Sequence, residues 1–354
     1  MKNAFVICAT LFAFVVVPVH SVAPAYAVDV PTDVVDYQAM AFYPERWNQQ
    51  NVSGQMYPWH GKEVVLLTPQ QNLAPETMAR FLGHLDRGWA FYHEITGTQP
   101  RAYKMYAGKP TIAAVPNASL TCGLGCGMVG ATGIEVGKFL SDWKEVQANA
   151  QAMPHYYFYE MGRNYYVFGK KHDCFVTGYA VFMRYCCMDE LKLIDNDRST
   201  RRAIENAIDA FSQSDLDFIT AMTHSGSLSE KQARIRPYDG PCDQPVMYAS
   251  AMLRLRRDFG GDEFVKRFYH TLHQMPEYGE NERGNKPTNA KRQSVTWMLA
   301  ACRAAKQDLS PLFVDQWRLP ISNEAREIVK QTDWTKDSDG DAELAEQVLR
   351  AAGL

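Results

Sequence analysis

Apolar residues recur at helical spacing through residues 75–97, at Met78, Phe81, Leu82, Leu85, Trp89 and Tyr92, behind an opening Pro75-Glu76. This pattern predicts a long amphipathic helix that ends at Gly97. Before it, residues 63–67 form a short β-like run that stops at Thr68-Pro69. After it, residues 101–106 and 111–115 read as strands joined by an Ala107-Gly108-Lys109-Pro110 turn. The glycine-rich residues 122–133 carry no phosphate-loop or dinucleotide fingerprint and read as a bulged turn into an edge strand, Ile134-Glu135-Val136.

Beyond residue 170 the pattern becomes helical. Residues 245–259 are amphipathic, Gly260-Gly261 breaks them, and Asp262 is a candidate N-cap for 263–274. Residues 276–289 are polar and read as a surface loop. Residues 291–306 predict another helix, and Ser310-Pro311 supplies a cap and first-turn proline for the next. The expected fold class is α+β: an N-terminal α/β part over residues 28–150, then a central helix and helical C-terminal part over 151–354.

The chain begins with Lys2, an apolar run from Ala4 to Val17 and the triplet Ala25-Tyr26-Ala27, which together have the form of a secretory signal cleaved after Ala27. The expectation is a secreted or periplasmic protein. No later segment has about 18 continuous apolar residues, so no stable membrane insertion is expected. Cleavage would remove one of 37 basic side chains and none of the 40 acidic ones. Such a balance offers no electrostatic reason to expect a nucleic-acid partner. Aromatics at 12% suit a dense core and sugar stacking equally.

An exported compartment permits disulfides. Apart from Cys8 in the leader, the cysteines are Cys122, Cys126, Cys174, Cys186, Cys187, Cys242 and Cys302, an odd number that requires at least one unpaired thiol or an intermolecular bridge. Cys122 and Cys126 can close a small loop by a local disulfide. Cys186 and Cys187 are expected to point apart, because a vicinal bridge strains the backbone.

Residues 155–166, His-Tyr-Tyr-Phe-Tyr-Glu-Met-Gly-Arg-Asn-Tyr-Tyr, have the shape of a zinc-peptidase helix without its histidines. In His-Glu-x-x-His two imidazoles four apart hold the metal, and the glutamate activates the bound water. Glu160 occupies the glutamate position. Tyr159 and Arg163 occupy the ligand positions, and a guanidinium offers donors only. With the strands before this helix and the stretches Phe259-Gly260-Gly261-Asp262-Glu263-Phe264 and Gln316-Trp317-Arg318-Leu319-Pro320-Ile321 after it, the chain resembles the gluzincin metallopeptidases, in particular the enhancin-like, mucin-directed group. The resemblance covers roughly residues 60–325. It implies a gluzincin-like fold with a third ligand, a glutamate, somewhere in residues 175–185. That interval contains no carboxylate, so no metal or other cofactor is expected and zinc peptidase chemistry is not.

The remaining side chains suggest a polar cleft. Glu160 is the candidate catalytic residue, and His155, Tyr159, Arg163 and Tyr166 are candidate substrate-binding residues. The alternative is that Arg163 neutralises Glu160 while aromatics fill the former metal cavity. Other constellations carry less: His270 and His273 share a helical face, His172-Asp173-Cys174 are consecutive, and residues 335–346 resemble a calcium loop but place Thr335 first, so an acidic helix start is the simpler account. The expected function is a pseudoenzyme binding a peptide, glycoprotein or glycan. The alternative is a metal-independent hydrolase of glycoprotein or polysaccharide that pairs Glu160 with a second acid such as Glu135 or Asp173.

Overall fold

The computed structural model describes residues 27–195, 198–223, 244–277, 287–336 and 340–354. The expected leader up to Tyr26, Cys242, most of the predicted polar loop and residues 337–339 of the acidic run lie outside them. The described residues form an α+β structure.

A mixed sheet contains β1 (Val35–Asp36), β2 (Gln55–His60), β3 (Val65–Thr68), β4 (Met105–Tyr106), β5 (Lys109–Ala114), β6 (Gly125–Gly127) and β7 (Ile134–Val136). Its order is β1-β2-β3-β5-β7-β6, with β4 paired to β5. Strands β3, β5 and β7 are parallel, while β1, β2 and β6 run antiparallel to their neighbours. Both faces of the sheet are covered, which is why β3 is a continuous buried run, Val-Leu-Leu-Thr, rather than an alternating one. One correction concerns the edge. Residues 134–136 lie inside the sheet between β5 and β6, and the terminal strand is β6, whose Gly-Cys-Gly has no apolar pattern to reveal it.

Of the early helices, α1 (Pro44–Gln49) covers one sheet face, where Tyr37, Trp47, Met56, Val65 and Leu67 form a small core. The predicted long helix is α2 (Pro75–Thr96), closed by Gly97 in the left-handed region at φ 67°. It lies on the other face, beside α3 (Phe139–Ala148) and α4 (Tyr156–Asn164). The carboxylate of Asp86 in α2 accepts the backbone N–H groups of Lys62 at 2.7 Å, Glu63 at 2.8 Å and Val64 at 3.1 Å, fixing the β2–β3 turn to the helix.

The helical half contains α5 (Val176–Glu190), α6 (Arg198–Ser212), α7 (Phe218–Thr223), α8 (Gln244–Asp258), α9 (Asp262–Gln274), α10 (Pro287–Ala305), α11 (Asn323–Gln331) and α12 (Asp341–Ala351). The turn after Ser310 is a π-helix, Pro311–Gln316. Gly261, not Asp262, occupies the cap of α9; Asp262 instead accepts from Arg256 at 2.6 Å. Arg256 of α8 and Arg201 of α6 both bind Asp189 of α5, at 2.7 and 2.5 Å. The larger core runs continuously from Ile112 and Val136 in the sheet, through Phe158 and Met161 of α4, to Trp297 and Phe313.

Candidate functional site

Helix α4 packs on the face of β6 and β7 and against α2 and α5. Two glycine positions set these approaches. A Cβ on Gly88 of α2 would lie 2.6 Å from the Phe158 ring, and one on Gly162 would lie 3.3 Å from the Ala180 Cα of α5. The end of α4 is tied to the turn between β6 and β7: Asn164 Nδ2 donates to the carbonyls of Met128 at 2.9 Å and Gly133 at 3.1 Å, and Gly130 N–H donates to the Arg163 carbonyl at 3.0 Å.

Glu160 points from α4 onto β6 and is 4% exposed. Its carboxylate lies over Gly125 and Gly127, with room made by the missing side chains. Burial pushes its carboxyl up to about 7, while the nearby Arg163 charge and the Gly127 backbone pull in the other direction. Arg163 Nε stands 3.8 Å from Oε2 and donates to the Gly127 carbonyl at 3.3 Å. Oε2 has no hydrogen-bond partner in the described structure. The expected ion pair therefore forms at long range and leaves the acid incompletely satisfied.

Tyr159 is half-buried beside Arg163. Burial raises its phenol, and the charges of Arg163 and Arg184 oppose that rise. His155 stands at the start of α4, with Nδ1 3.5 Å from Asp195 Oδ1. Tyr166 is separate from this group: it is 3% exposed and packs edge-on against Phe168 and Tyr179 in the aromatic core. The structure thus brings Tyr159, Glu160 and Arg163 together, places His155 further along α4, and puts Tyr166 in the interior.

Neither proposed second acid stands with Glu160. Because Gly125 and Gly127 face Glu160, Cys126 points to the opposite face, and so does its cross-strand partner Glu135. Glu135 accepts there from Tyr37 Oη at 2.9 Å and Phe42 N–H at 2.8 Å. Asp173 is exposed beyond the end of α4 and accepts from Gln293. The expected Cys122–Cys126 disulfide is present and closes the loop leading into β6. Cys186 and Cys187 are free and buried.

The residue that sequence reasoning passed over is Arg184. Residues 175–185 were of interest for a carboxylate, and their one charged side chain is a cation. Its link to the site comes from the way α5 returns along α4. Gly162 meets Ala180 at one end of the contact and Ala152 bridges Ile194 at the other, which sets Arg184 at the level of Tyr159. Arg184 is 8% exposed, donates from Nη2 to Tyr185 Oη at 2.8 Å, and lies over the Tyr185 ring.

Among the described residues, no group of three or more His, Cys, Asp or Glu is arranged to hold a metal ion, and no helix is long and apolar enough to cross a membrane. No protein-family model and no curated protein matches the chain. A solved structure described as a functionally unknown conserved protein mutant from Bacillus anthracis str. Ames aligns with 12% identity and a TM-score of 0.47, covering 81% of this chain. The alignment spans 55% of that neighbour's length.

Proposed function

We propose that this is an exported protein of gluzincin-like architecture that binds an extended peptide along the outer edge of β6, beside α4, and does not act as a zinc peptidase. The observation that carries the reading is the placement of Glu160 and Arg163 against the glycines of β6. Strand β6 has one strand neighbour, and its outward Gly127 carbonyl is held by Arg163, so an added strand would exchange that bond for its own backbone pairing. The helix offers donors where a metal would require lone pairs: Arg163 cannot ligate a cation, and it is engaged with the Gly127 carbonyl.

A catalytic reading rests on one observation, the carboxyl of Glu160 near 7, which suits proton transfer at neutral pH. Hydrolysis by paired acids requires a second carboxylate at the reacting centre, and Glu135 and Asp173 lie elsewhere. Binding is therefore preferred.

The test is a panel of peptides, glycopeptides and glycans assayed for binding and turnover with wild type and Glu160→Gln. Peptide binding without cleavage is the expected result. Turnover by wild type that disappears in Glu160→Gln would overturn the ranking and make the protein a hydrolase.

A further inference from the structure

Arg184 is a buried cation that forms no ion pair among the described residues. Among the described residues its only hydrogen bond is to the neutral Tyr185 hydroxyl, and Nε has no partner. Isolated buried charges are costly, so arginines in such positions are normally matched by a carboxylate or other anion. Several half-buried arginines here are matched by an acid: Arg303 binds Asp341, and Arg201 and Arg256 share Asp189. Asp195, whose charge reaches the Tyr185 phenol, lies 3.5 Å from His155 Nδ1 and forms no ion pair with Arg184.

The second observation is what shares its level. The charges of Arg163 on α4 and Arg184 on α5 both act on the Tyr159 hydroxyl, while Arg163 is the charged residue acting on Glu160. The charges of two guanidiniums thus reach one phenol, and among the described residues the acid that faces Arg163 is Glu160, turned toward β6. A planar guanidinium with free donors fits a carboxylate in two-point geometry.

We propose that Arg184, assisted by Arg163 and the Tyr159 hydroxyl, holds a carboxylate of the bound peptide, so that the site selects acidic peptides. This rests on the peptide-binding reading above and adds the ligand's chemistry to it. The peptide is preferred to an acidic sugar as the source because the same site adjoins the terminal strand β6, which recognises backbone rather than sugar.

The experiment pans a displayed random octapeptide library on the full mature protein and on Arg184→Met, with 3′-sialyllactose and lactose titrated in parallel. Wild type should enrich peptides bearing Asp or Glu and bind a selected peptide about tenfold or more tighter than its Gln or Asn twin, as a charge-assisted contact implies. Arg184→Met should lose that preference, and Arg184→Lys should recover part of it. The melting temperature of unliganded Arg184→Met provides the folding control and should equal or exceed that of wild type, because the substitution removes an unpaired buried charge. A selected pool without acidic enrichment, or the same enrichment with Arg184→Met, would overturn this inference while leaving peptide binding intact. Failure to select any peptide would overturn both. Preferential binding of sialyllactose over lactose, dependent on Arg184 and without peptide selection, would assign the carboxylate to a glycan and refute the peptide as its source.

Discussion

The Glu160 carboxylate and the Gly125 Cα pack so closely that a Cβ on Gly125 would come within 2.7 Å of Oε1. At Gly127 the obstructing atom is the Glu160 backbone oxygen, also at 2.7 Å. A side-chain carboxylate can rotate away more readily than a helix backbone can move. Gly127→Ala should therefore cost more than Gly125→Ala, with both losses on the order of 1–3 kcal/mol as for other overpacked positions. Adding Glu160→Ala should relieve the Gly125→Ala defect and leave most of the Gly127→Ala defect. Denaturant unfolding of the four variants checks this, and equal relief at both positions would contradict the geometry.

The pH dependence has two opposed parts. Glu160 has a folded value near 7, above its ordinary value of 4.5, so the folded state keeps a proton that the unfolded chain releases. Its contribution falls as pH rises from about 4.5 to about 7, by up to roughly 3 kcal/mol. Glu160→Gln should remove this slope and be the more stable form above pH 7. His172 behaves in the reverse sense: burial lowers it to about 3 from 6.5, while Tyr248 Oη lies 2.7 Å from Nε2. Stability from its neutral form is complete above pH 6.5 and is lost as pH falls toward 3. His84 and His273, each lowered to about 4 chiefly by burial, act in the same direction. Unfolding curves of wild type, Glu160→Gln and His172→Gln between pH 4 and 8 separate the two limbs.

Asp86 should be one of the most sensitive positions in the N-terminal half. Its carboxylate serves three successive backbone N–H groups, which Asp86→Ala would leave without their acceptor. A loss on the order of 3 kcal/mol is expected, with Asp86→Asn intermediate because it retains one acceptor oxygen. Hydrogen exchange at residues 61–65 should accelerate in both variants, and unchanged protection there would count against this role.

Reduction of the Cys122–Cys126 disulfide should lower stability by about 2 kcal/mol, the loop-entropy value for so short a closure. The locally visible effect should be faster hydrogen exchange in β6 and in the loop before it. Cys122→Ser should reproduce it without reductant.

Several elements were legible because one local signal determined them. Pro75, the recurrence from Met78 to Tyr92 and Gly97 mark both ends and the buried face of α2. The Cys122–Cys126 loop followed from spacing. Strand β6 was not legible, since Gly-Cys-Gly acquires its strand conformation from pairing with β7 rather than from propensity. Asp262 has cap chemistry, but Arg256 competes for its carboxylate. Tyr159, Glu160 and Arg163 could be grouped from helical spacing alone. Arg184 could not, because its relation to Tyr159 depends on the register of α5 along α4, and Tyr166 could not be assigned to the interior without the aromatic neighbours that enclose it.

The ion pairs at Asp189 give the helical half a mechanical link to this site. Asp189 follows Arg184 on α5 by little more than one turn and is gripped by Arg201 from α6 and Arg256 from α8, with Arg256 also holding Asp262 of α9. Helix α5 is thereby anchored next to Arg184, because Arg201 and Arg184 both lie over the Tyr185 ring, at 5.1 and 4.6 Å from its centroid. Loosening the anchor, for instance by substituting Arg256, would shift Arg184 relative to Tyr159 without altering Tyr159, Glu160 or Arg163.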